Sequence, residues 1–179
     1  IFSFRGKGVL IAALVLVGIA GAVFAQSALR KRNPWQDLTI LPEKADVSYP
    51  ITLSDDQWQA RLSEFEYYVL REKGTERAFT GALLKNKKHG VYRCAACGND
   101  LYHSDHKFDS GTGWPSFYEP AEGSHVRTET DRTHGMVRTE VLCDRCNAHL
   151  GHVFNDGPQP TGMRFCINSA ALDFEPDEE

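Results

Sequence analysis

The chain has 179 residues and a formal net charge of −4, with 20 lysines and arginines against 24 aspartates and glutamates. This length accommodates one compact domain in addition to a targeting segment. Because the basic residues are scattered among acidic ones, no face collects the positive charge that phosphate backbones attract, and we expect no nucleic-acid partner.

An uncharged apolar run begins shortly after Arg5 and Lys7 and extends to Ala25. This arrangement predicts a signal peptide or an uncleaved membrane anchor over residues 1–25. The residues that end the run favour cleavage after Ala25, whereas the cations of Arg30-Lys31-Arg32 oppose export. We expect the chain to be exported, or held at the membrane if this segment is uncleaved. The domain would then lie outside the cytoplasm, in the periplasm if the source is a bacterium.

Residues 26–53 mix charged side chains with three prolines and show no sustained period, which predicts a linker. We place the folded domain at residues 54–174 and an acidic tail at residues 175–179. From Gly74 onward, short runs rich in Val, Tyr, Phe and Thr are interrupted by Gly, Pro, Asn and Asp at close intervals. This pattern is typical of a mainly β domain.

Two short helices are predicted at the start of the domain. Ser54 precedes Gln57 by three positions, the spacing of a capping box, in which each side chain accepts a hydrogen bond from the other residue's main-chain N–H. Ser63 and Glu66 repeat this spacing. We therefore expect one helix to end and the next to begin near Leu62.

Four of the five cysteines form two C-x-x-C pairs, Cys94 with Cys97 and Cys143 with Cys146, and each pair follows a predicted strand. Two such pairs can hold one zinc ion between four thiolates, a closed site without an open position for catalysis. An exported chain could instead form disulfides or use a pair for redox chemistry. A redox pair usually opens a helix in a βαβ unit, and neither pair is in such a pattern. We therefore favour one structural zinc per chain.

Cys166 remains outside this quartet. Alternation along its predicted strand places Arg164, Cys166 and Asn168 on one face and apolar side chains on the other. A guanidinium on the same face stabilises a thiolate, which is the condition for a nucleophilic cysteine. A free cysteine considered alone is more often a small buried apolar residue.

Two histidines, His149 and His152, follow the second C-x-x-C pair. At this spacing they could converge on one pocket as an acid and a hydrogen-bond donor, although a single histidine is more often packed or at the surface. A Gly-rich turn over residues 109–117 delivers two aromatic side chains, Trp114 and Phe117. For Phe117 we favour packing in the core.

Five segments of the chain closely resemble the B-type methionine sulfoxide reductases and occur in that family's order, with both C-x-x-C pairs between them. They are Arg71–Arg77, Gly111–Phe117, His149–Phe154, Asp156–Gly162 and Arg164–Ser169. The resemblance covers roughly residues 54–174. It implies a mainly β fold of two antiparallel sheets with short N-terminal helices and a zinc site made of four cysteines.

The resemblance also implies the reaction, reduction of methionine R-sulfoxide in proteins as repair under oxidative stress. A sulfoxide sulfur is a poor electrophile until its oxygen is protonated or strongly hydrogen-bonded, so the site needs a thiolate and an acid. Cys166 is expected to attack that sulfur and become a sulfenic acid. The side chains expected to act on the oxygen and orient the substrate are His149, His152, Asn168 and Arg164, and those expected to bind the substrate are Trp114 and Phe154.

Many members of this family carry a second, resolving cysteine where this chain has Thr112. With the other cysteines assigned to zinc, we expect a thioredoxin-like protein or a small thiol to reduce the Cys166 sulfenic acid directly. Two other classes of function stay open. A non-enzymatic zinc-ribbon binding module has no use for Cys166, and a disulfide oxidoreductase needs a reactive C-x-x-C pair.

Overall fold

The computed structural model of the chain describes residues 51–121 and 126–178. The signal peptide or anchor predicted over residues 1–25, and all but the last three residues of the linker predicted over 26–53, lie outside the described residues. Within the described ranges, none of the helices has the length and apolarity that crossing a membrane requires.

Two short helices open the described domain, α1 over Asp55–Gln59 and α2 over Glu64–Leu70, and both predicted capping boxes are formed. The second box at Ser63 starts a new helix because its side chain accepts the Glu66 N–H while the Glu66 carboxylate accepts the Ser63 N–H. The helices are anchored by a few apolar side chains in the core. These are Trp58, Leu62, Val69 and Leu70.

Within the described residues, nine strands follow the helices. They are β1 (Gly90–Cys94), β2 (Asp100–His103), β3 (Lys107–Phe108), β4 (Ser116–Phe117), β5 (Val126–Asp131), β6 (Arg138–Cys143), β7 (His149–Phe154), β8 (Arg164–Ile167) and β9 (Leu172–Pro176). One sheet has the order β2-β1-β9 and the other β3-β4-β8-β7-β6-β5, with antiparallel neighbours throughout. The predicted fold class, mainly β with two antiparallel sheets, is confirmed.

Residues just outside the predicted domain limits of 54 and 174 also contact the domain. At the C-terminal end, Glu175 and Pro176 of the predicted acidic tail pair with β1. At the N-terminal end, Ile51 and Leu53 of the predicted linker pack against the core. In both places pairing or apolar contact extends the fold into a segment whose composition is polar or irregular.

The two sheets pack against each other through aromatic rings. Tyr102 of β2 stacks on Phe117 of β4 with ring centroids 4.3 Å apart, and Phe165 of β8 lies 5.9 Å from Tyr102. Tyr92 of β1 meets Phe117 at 5.0 Å, and all four side chains are fully buried. Burying a ring of this size contributes about 1.5–3 kcal/mol. This cluster therefore fixes which face of β8 points inward.

The inward face of β8 has the side chains that the alternation predicted. Met163, Phe165 and Ile167 all belong to the buried core. Met163 is only 2% exposed, whereas the other methionine, Met136, is 47% exposed in the connection before β6. Because successive strand residues point to opposite faces, Cys166 is directed away from the aromatic cluster.

Candidate active site and metal centre

The four cysteines of the two C-x-x-C pairs meet at one point. Their sulfurs all lie within 4.8 Å of one another. The Sγ atoms of Cys94 and Cys146 are 3.7 Å apart, as are those of Cys97 and Cys143. A tetrahedral metal with four metal–sulfur bonds of about 2.3 Å separates neighbouring sulfurs by about 3.8 Å. The quartet therefore could hold a tetrahedral metal ion, and the predicted grouping is confirmed.

Each cysteine pair lies in a tight turn that ends a strand. After β1, the Cys97 and Gly98 N–H groups donate to the Cys94 carbonyl at 3.2 and 2.7 Å, and after β6 the Asn147 N–H donates to the Cys143 carbonyl at 2.9 Å. Gly98 and Asn147 adopt left-handed backbone conformations, with φ of 69° and 59°, that close these turns. The quartet consequently joins the three-stranded sheet to the six-stranded sheet.

Cys166 lies near the middle of the six-stranded sheet. Its register partners are Ser116 on β4 and His152 on β7, and Glu140 on β6 continues the same row beyond His152. Residues directly opposite one another share a face of a sheet. A hydroxyl, a thiol, an imidazole and a carboxylate thus form one row on the face that points away from the aromatic cluster.

The Cys166 thiol is half-buried and has two polar neighbours. Thr112 Oγ1 lies 3.9 Å from its sulfur, and the Arg164 guanidinium acts on it through a hydrogen bond and through its charge. Burial raises the pKa of the Cys166 thiol, and the contacts with Thr112 and Arg164 oppose that rise without cancelling it. Arg164 does stabilise the thiolate as expected, but burial away from water destabilises it more.

A β-bulge brings the two histidines to one face of the sheet. On a regular strand, side chains three positions apart point to opposite faces. The register between β7 and β6 shifts by one residue around Leu150, which turns His149 to the side of His152. Their rings lie edge to face with centroids 5.5 Å apart. The convergence of the two histidines therefore depends on an irregularity that their spacing does not reveal.

Each histidine contacts a carboxylate that the sequence analysis missed, buried Glu140 for His149 and half-buried Asp131 for His152. His149 Nδ1 lies 2.7 Å from Glu140, whose second carboxylate oxygen accepts a bond from Lys73 Nζ at 2.8 Å. His152 Nε2 lies 2.8 Å from Asp131. Glu140 is 3% exposed. These carboxylates fix the orientation of both imidazole rings.

The charges around His152 determine where its proton lies. Burial raises the pKa of Asp131, but hydrogen bonds from the Thr133 hydroxyl and N–H, from His152 and from Arg138 hold that pKa well below its ordinary value. Burial, together with the nearby Arg138 and His149, lowers the pKa of His152, and the contact with Asp131 opposes this shift without cancelling it. An ionised Asp131 accepts the Nε2–H of a neutral His152. The Nδ1 atom of His152 is then left as a proton acceptor.

Arg164 is held by a two-point ion pair. Its Nε and Nη2 donate to the two carboxylate oxygens of Asp156 at 2.8 and 2.9 Å. The guanidinium carbon lies 4.4 Å from the centre of the Phe154 ring. A bidentate pair fixes the plane of a guanidinium as well as its position. The structure thereby brings the predicted residues Arg164 and Phe154 together beside Cys166.

Trp114 and Asn168 are joined through Glu76, a buried residue that the sequence analysis also missed. The Glu76 carbonyl accepts a bond from Trp114 Nε1 at 3.1 Å, and its N–H donates to Asn168 Oδ1 at 3.1 Å. Its carboxylate accepts the first two N–H groups after Asn168, at 2.7 and 3.0 Å. The Asn168 side chain is 3% exposed and bonds to main-chain groups. Asn168 therefore holds the main-chain segments around the site in place.

A groove of about 730 Å³ opens beside the turn that contains Trp114. Phe79 lines it with a ring that is 68% exposed, in a left-handed conformation with φ of 67°. The Phe79 N–H donates to the Gly113 carbonyl at 2.8 Å, and a Cβ on Gly113 would come within 2.9 Å of Phe79 N. A bulky residue rarely adopts this conformation, and an exposed ring gains nothing from burial. The groove thus offers an unshielded aromatic surface next to Trp114.

The sequence is similar to known proteins over this whole domain. The profile of the SelR domain family matches residues 62–176. A peptide methionine sulfoxide reductase MsrB of Thiobacillus denitrificans is 63% identical over 125 residues, covering 70% of this chain and 95% of that protein. Proteins of the same name from Leptospira interrogans and Bradyrhizobium diazoefficiens are 56% and 61% identical. They cover 72% and 69% of this chain and 98% and 88% of their own lengths.

Proposed function

The chain belongs to the B-type methionine sulfoxide reductases, oxidoreductases that reduce methionine (R)-sulfoxide, and from this premise we propose that Cys166 is its nucleophile. The observation that carries the proposal is the row across the six-stranded sheet, where Cys166 lies between Ser116 and His152 on the face away from the core. A half-buried thiol beside an imidazole and a guanidinium has the surroundings that nucleophilic catalysis requires.

The proposed reaction moves the sulfoxide oxygen to the enzyme. The Cys166 sulfur attacks the sulfoxide sulfur, the S–O bond breaks, and methionine leaves while the enzyme keeps a sulfenic acid. The methionine sulfur is reduced and the Cys166 sulfur is oxidised. The proton lost by the thiol ends on the sulfenic acid oxygen, so this step needs no further reactant.

We assign the transfer of that proton to His152. A raised pKa at Cys166 and a lowered pKa at His152 describe a neutral thiol facing a neutral imidazole. His152 Nδ1 accepts the thiol proton as the nucleophile attacks, and the ionised Asp131 stabilises the resulting imidazolium. The imidazolium then donates the proton to the departing oxygen. His149, held by Glu140, hydrogen-bonds the same oxygen.

The remaining predicted side chains position the substrate. Arg164, with its plane fixed by Asp156, directs its charge toward Cys166 and the developing negative oxygen. Trp114 and Phe154 provide apolar surface for the substrate's methyl and side-chain carbons, and their shape selects the R epimer at sulfur. Asn168 acts as a positioning residue through its main-chain contacts.

We propose zinc as the metal of the cysteine quartet. Four thiolates around a tetrahedron are the ligands of structural zinc sites, and a closed shell leaves no position for substrate. Such an ion would stabilise the turns after β1 and β6 and take no part in the reaction. The spacing of the sulfurs, 3.7 Å for two of their pairs, supports this assignment.

We propose oxidised methionine residues in proteins as the substrate, and protein repair under oxidative stress as the role. The open groove and the exposed Phe79 ring support a polypeptide rather than only a free amino acid. An external thiol, from a thioredoxin-like protein or a small molecule, would reduce the sulfenic acid because Thr112 offers no sulfur. Export or membrane anchoring of the chain also stays a proposal, and a C-terminal reporter that is active only in the cytoplasm would contradict an extracytoplasmic domain.

The central test is reduction of peptides that contain methionine R-sulfoxide or S-sulfoxide, with dithiothreitol as reductant. Wild-type protein should reduce the R form, and Cys166→Ser should abolish this activity while the bound metal stays at one ion per chain. A Cys166→Ser protein that keeps the activity contradicts the proposal. That result would favour a reactive C-x-x-C pair.

A further inference from the structure

Three hydroxyl groups form a chain that ends at the Cys166 sulfur. Ser116 Oγ lies 2.7 Å from Ser110 Oγ, which lies 2.8 Å from Thr112 Oγ1. Thr112 Oγ1 is 3.9 Å from Cys166 Sγ. Ser116 is fully buried, and its hydroxyl is also 3.2 Å from the Trp114 carbonyl oxygen. The chain therefore connects the sulfur to a carbonyl in the turn that contains Trp114.

A hydroxyl has one proton to donate, so this chain has two self-consistent directions. With a Cys166 thiol, the S–H donates to Thr112, each hydroxyl donates to the next, and the last proton points to the Trp114 carbonyl. With a thiolate, Ser116 donates to Ser110 and Thr112 donates to sulfur. In both directions Ser110 Oγ can still accept the Thr112 N–H at 3.4 Å. Reversal needs only rotation of hydroxyl protons.

We propose that Thr112 is a further catalytic residue, which donates a hydrogen bond to the Cys166 thiolate and is aligned for this by Ser110 and Ser116. This inference rests on the proposed role of Cys166 as nucleophile. The donor is polarised because each hydroxyl in the chain strengthens the next, and the buried end excludes competing water. When the direction of the hydroxyl chain reverses, Ser116 gives up its contact with the Trp114 carbonyl, so the reversal costs one weak hydrogen bond.

The other charged groups that face the sulfur are few. Arg164 lies on the same strand, His152 lies opposite on β7, and Asp156 acts from beyond Arg164. In the turn, the Asp109 carboxylate accepts the Gly111 N–H. The Thr112 hydroxyl contacts the sulfur, and its effect is separable from these charges because its removal changes no formal charge.

The test compares Thr112→Val, Thr112→Ser and wild type by the pH dependence of iodoacetamide alkylation of Cys166. A hydrogen bond to a charged group stabilises it by about 1.5–3 kcal/mol, so Thr112→Val should lower alkylation near pH 7 by roughly tenfold or more. The alkylation midpoint should move to higher pH, and Thr112→Ser should restore it. Thr52→Val, the same change at an exposed site in the predicted linker, should match wild type.

Two further results test the chain of hydroxyl groups. Ser110→Ala, which leaves Thr112 intact, should shift the alkylation midpoint in the same direction by less, and an unchanged midpoint overturns the role of Ser110. An unshifted Thr112→Val profile overturns the whole inference even if that protein reduces methionine sulfoxide normally. Activity in Cys166→Ser would instead refute the proposed function, so the two failures are distinguishable.

Discussion

The main-chain carbonyl of Leu150 accepts two hydrogen bonds from Asn168, one from its N–H at 2.9 Å and one from its side-chain Nδ2 at 3.0 Å. Leu150 is the extra residue of the bulge that turns His149 toward His152. The residue just after β8 therefore fixes the irregularity that brings the two histidines together, and the proposed chemistry depends on a contact that involves no reacting atom.

Replacing Asn168 by Asp tests this contact. The carboxylate oxygen would face the Leu150 carbonyl where a donor now lies, so two acceptors would oppose each other in a buried place. We expect a loss of about 1–3 kcal/mol in unfolding free energy and a fall in kcat/KM of about tenfold to a hundredfold. Urea denaturation and the R-sulfoxide assay measure the two effects. Full activity at unchanged stability would show that the bulge does not need Asn168.

Replacing Gly151 by Ala tests the close approach of β7 to β8. A Cβ at this position would lie 2.0 Å from the Cys166 carbonyl oxygen, a main-chain atom that cannot rotate away. Gly151→Ala should therefore cost roughly 2–5 kcal/mol, measured by chemical denaturation. Gly135→Ala is the matched control, since nothing lies within 4 Å of its Cβ and only its φ of 70° opposes alanine. That control should lose about 1 kcal/mol. Equal losses would contradict the steric account.

Metal removal should destabilise the domain without touching the nucleophile. Cys143→Ser takes one ligand from a site that joins the two sheets, so the purified variant should contain little metal and melt at a lower temperature. Cys166→Ser should keep its metal and its melting temperature. The measurements are metal analysis by plasma mass spectrometry and a thermal melt with and without chelator. A metal-free wild type with an unchanged melting temperature would refute a structural metal.

Acid should remove the stabilisation that Asp131 provides. Its pKa in the folded protein is held below the ordinary value of 3.8, so its ionised contacts stabilise the fold fully above that ordinary value. This contribution declines as the pH falls from about 4 toward the folded pKa. Wild type should therefore be more stable than Asp131→Asn at pH 6, and the difference should shrink below pH 4. Urea titrations of both proteins across this range measure it, and a constant difference would count against the prediction.

Thr112→Cys should create an internal disulfide that the natural chain cannot form. The side-chain oxygen it replaces lies 3.9 Å from the Cys166 sulfur, within reach of a bond after small rotations. After one turnover without reductant, the variant should have no free thiol at either position, whereas wild type should retain a sulfenic acid that dimedone labels. Dimedone labelling of the oxidised variant equal to that of wild type would contradict this expectation.

Local patterns in the sequence predicted much of the structure. The capping boxes at Ser54 and Ser63 depend on residues three positions apart, and the burial of Phe165 follows from alternation within one strand. The cysteine quartet was also predictable, because two C-x-x-C pairs have few alternatives at that spacing. In each case the information lies within a few neighbouring residues or in the chemistry of one residue type.

The parts that could not be predicted depend on distant contacts. Glu76 bonds Asn168 across 92 positions, and Asp131 bonds His152 across 21. Nothing in the local sequence distinguishes Glu76 and Asp131 from the other acidic residues. The bulge at Leu150 is similarly hidden, since an apolar residue between two histidines also suits a regular strand. The sequence analysis proposed His149, His152 and Asn168 as site residues but did not predict the acidic residues that contact them.

The burial of four sulfur atoms has a consequence for oxidation of the protein itself. Cys94, Cys143, Cys146 and Met163 are at most 2% exposed, so an oxidant reaches them only if the fold opens. Met136 is about half exposed, and an oxygen added there projects into water rather than into packed side chains. The folded protein should therefore be oxidised at Met136 before Met163.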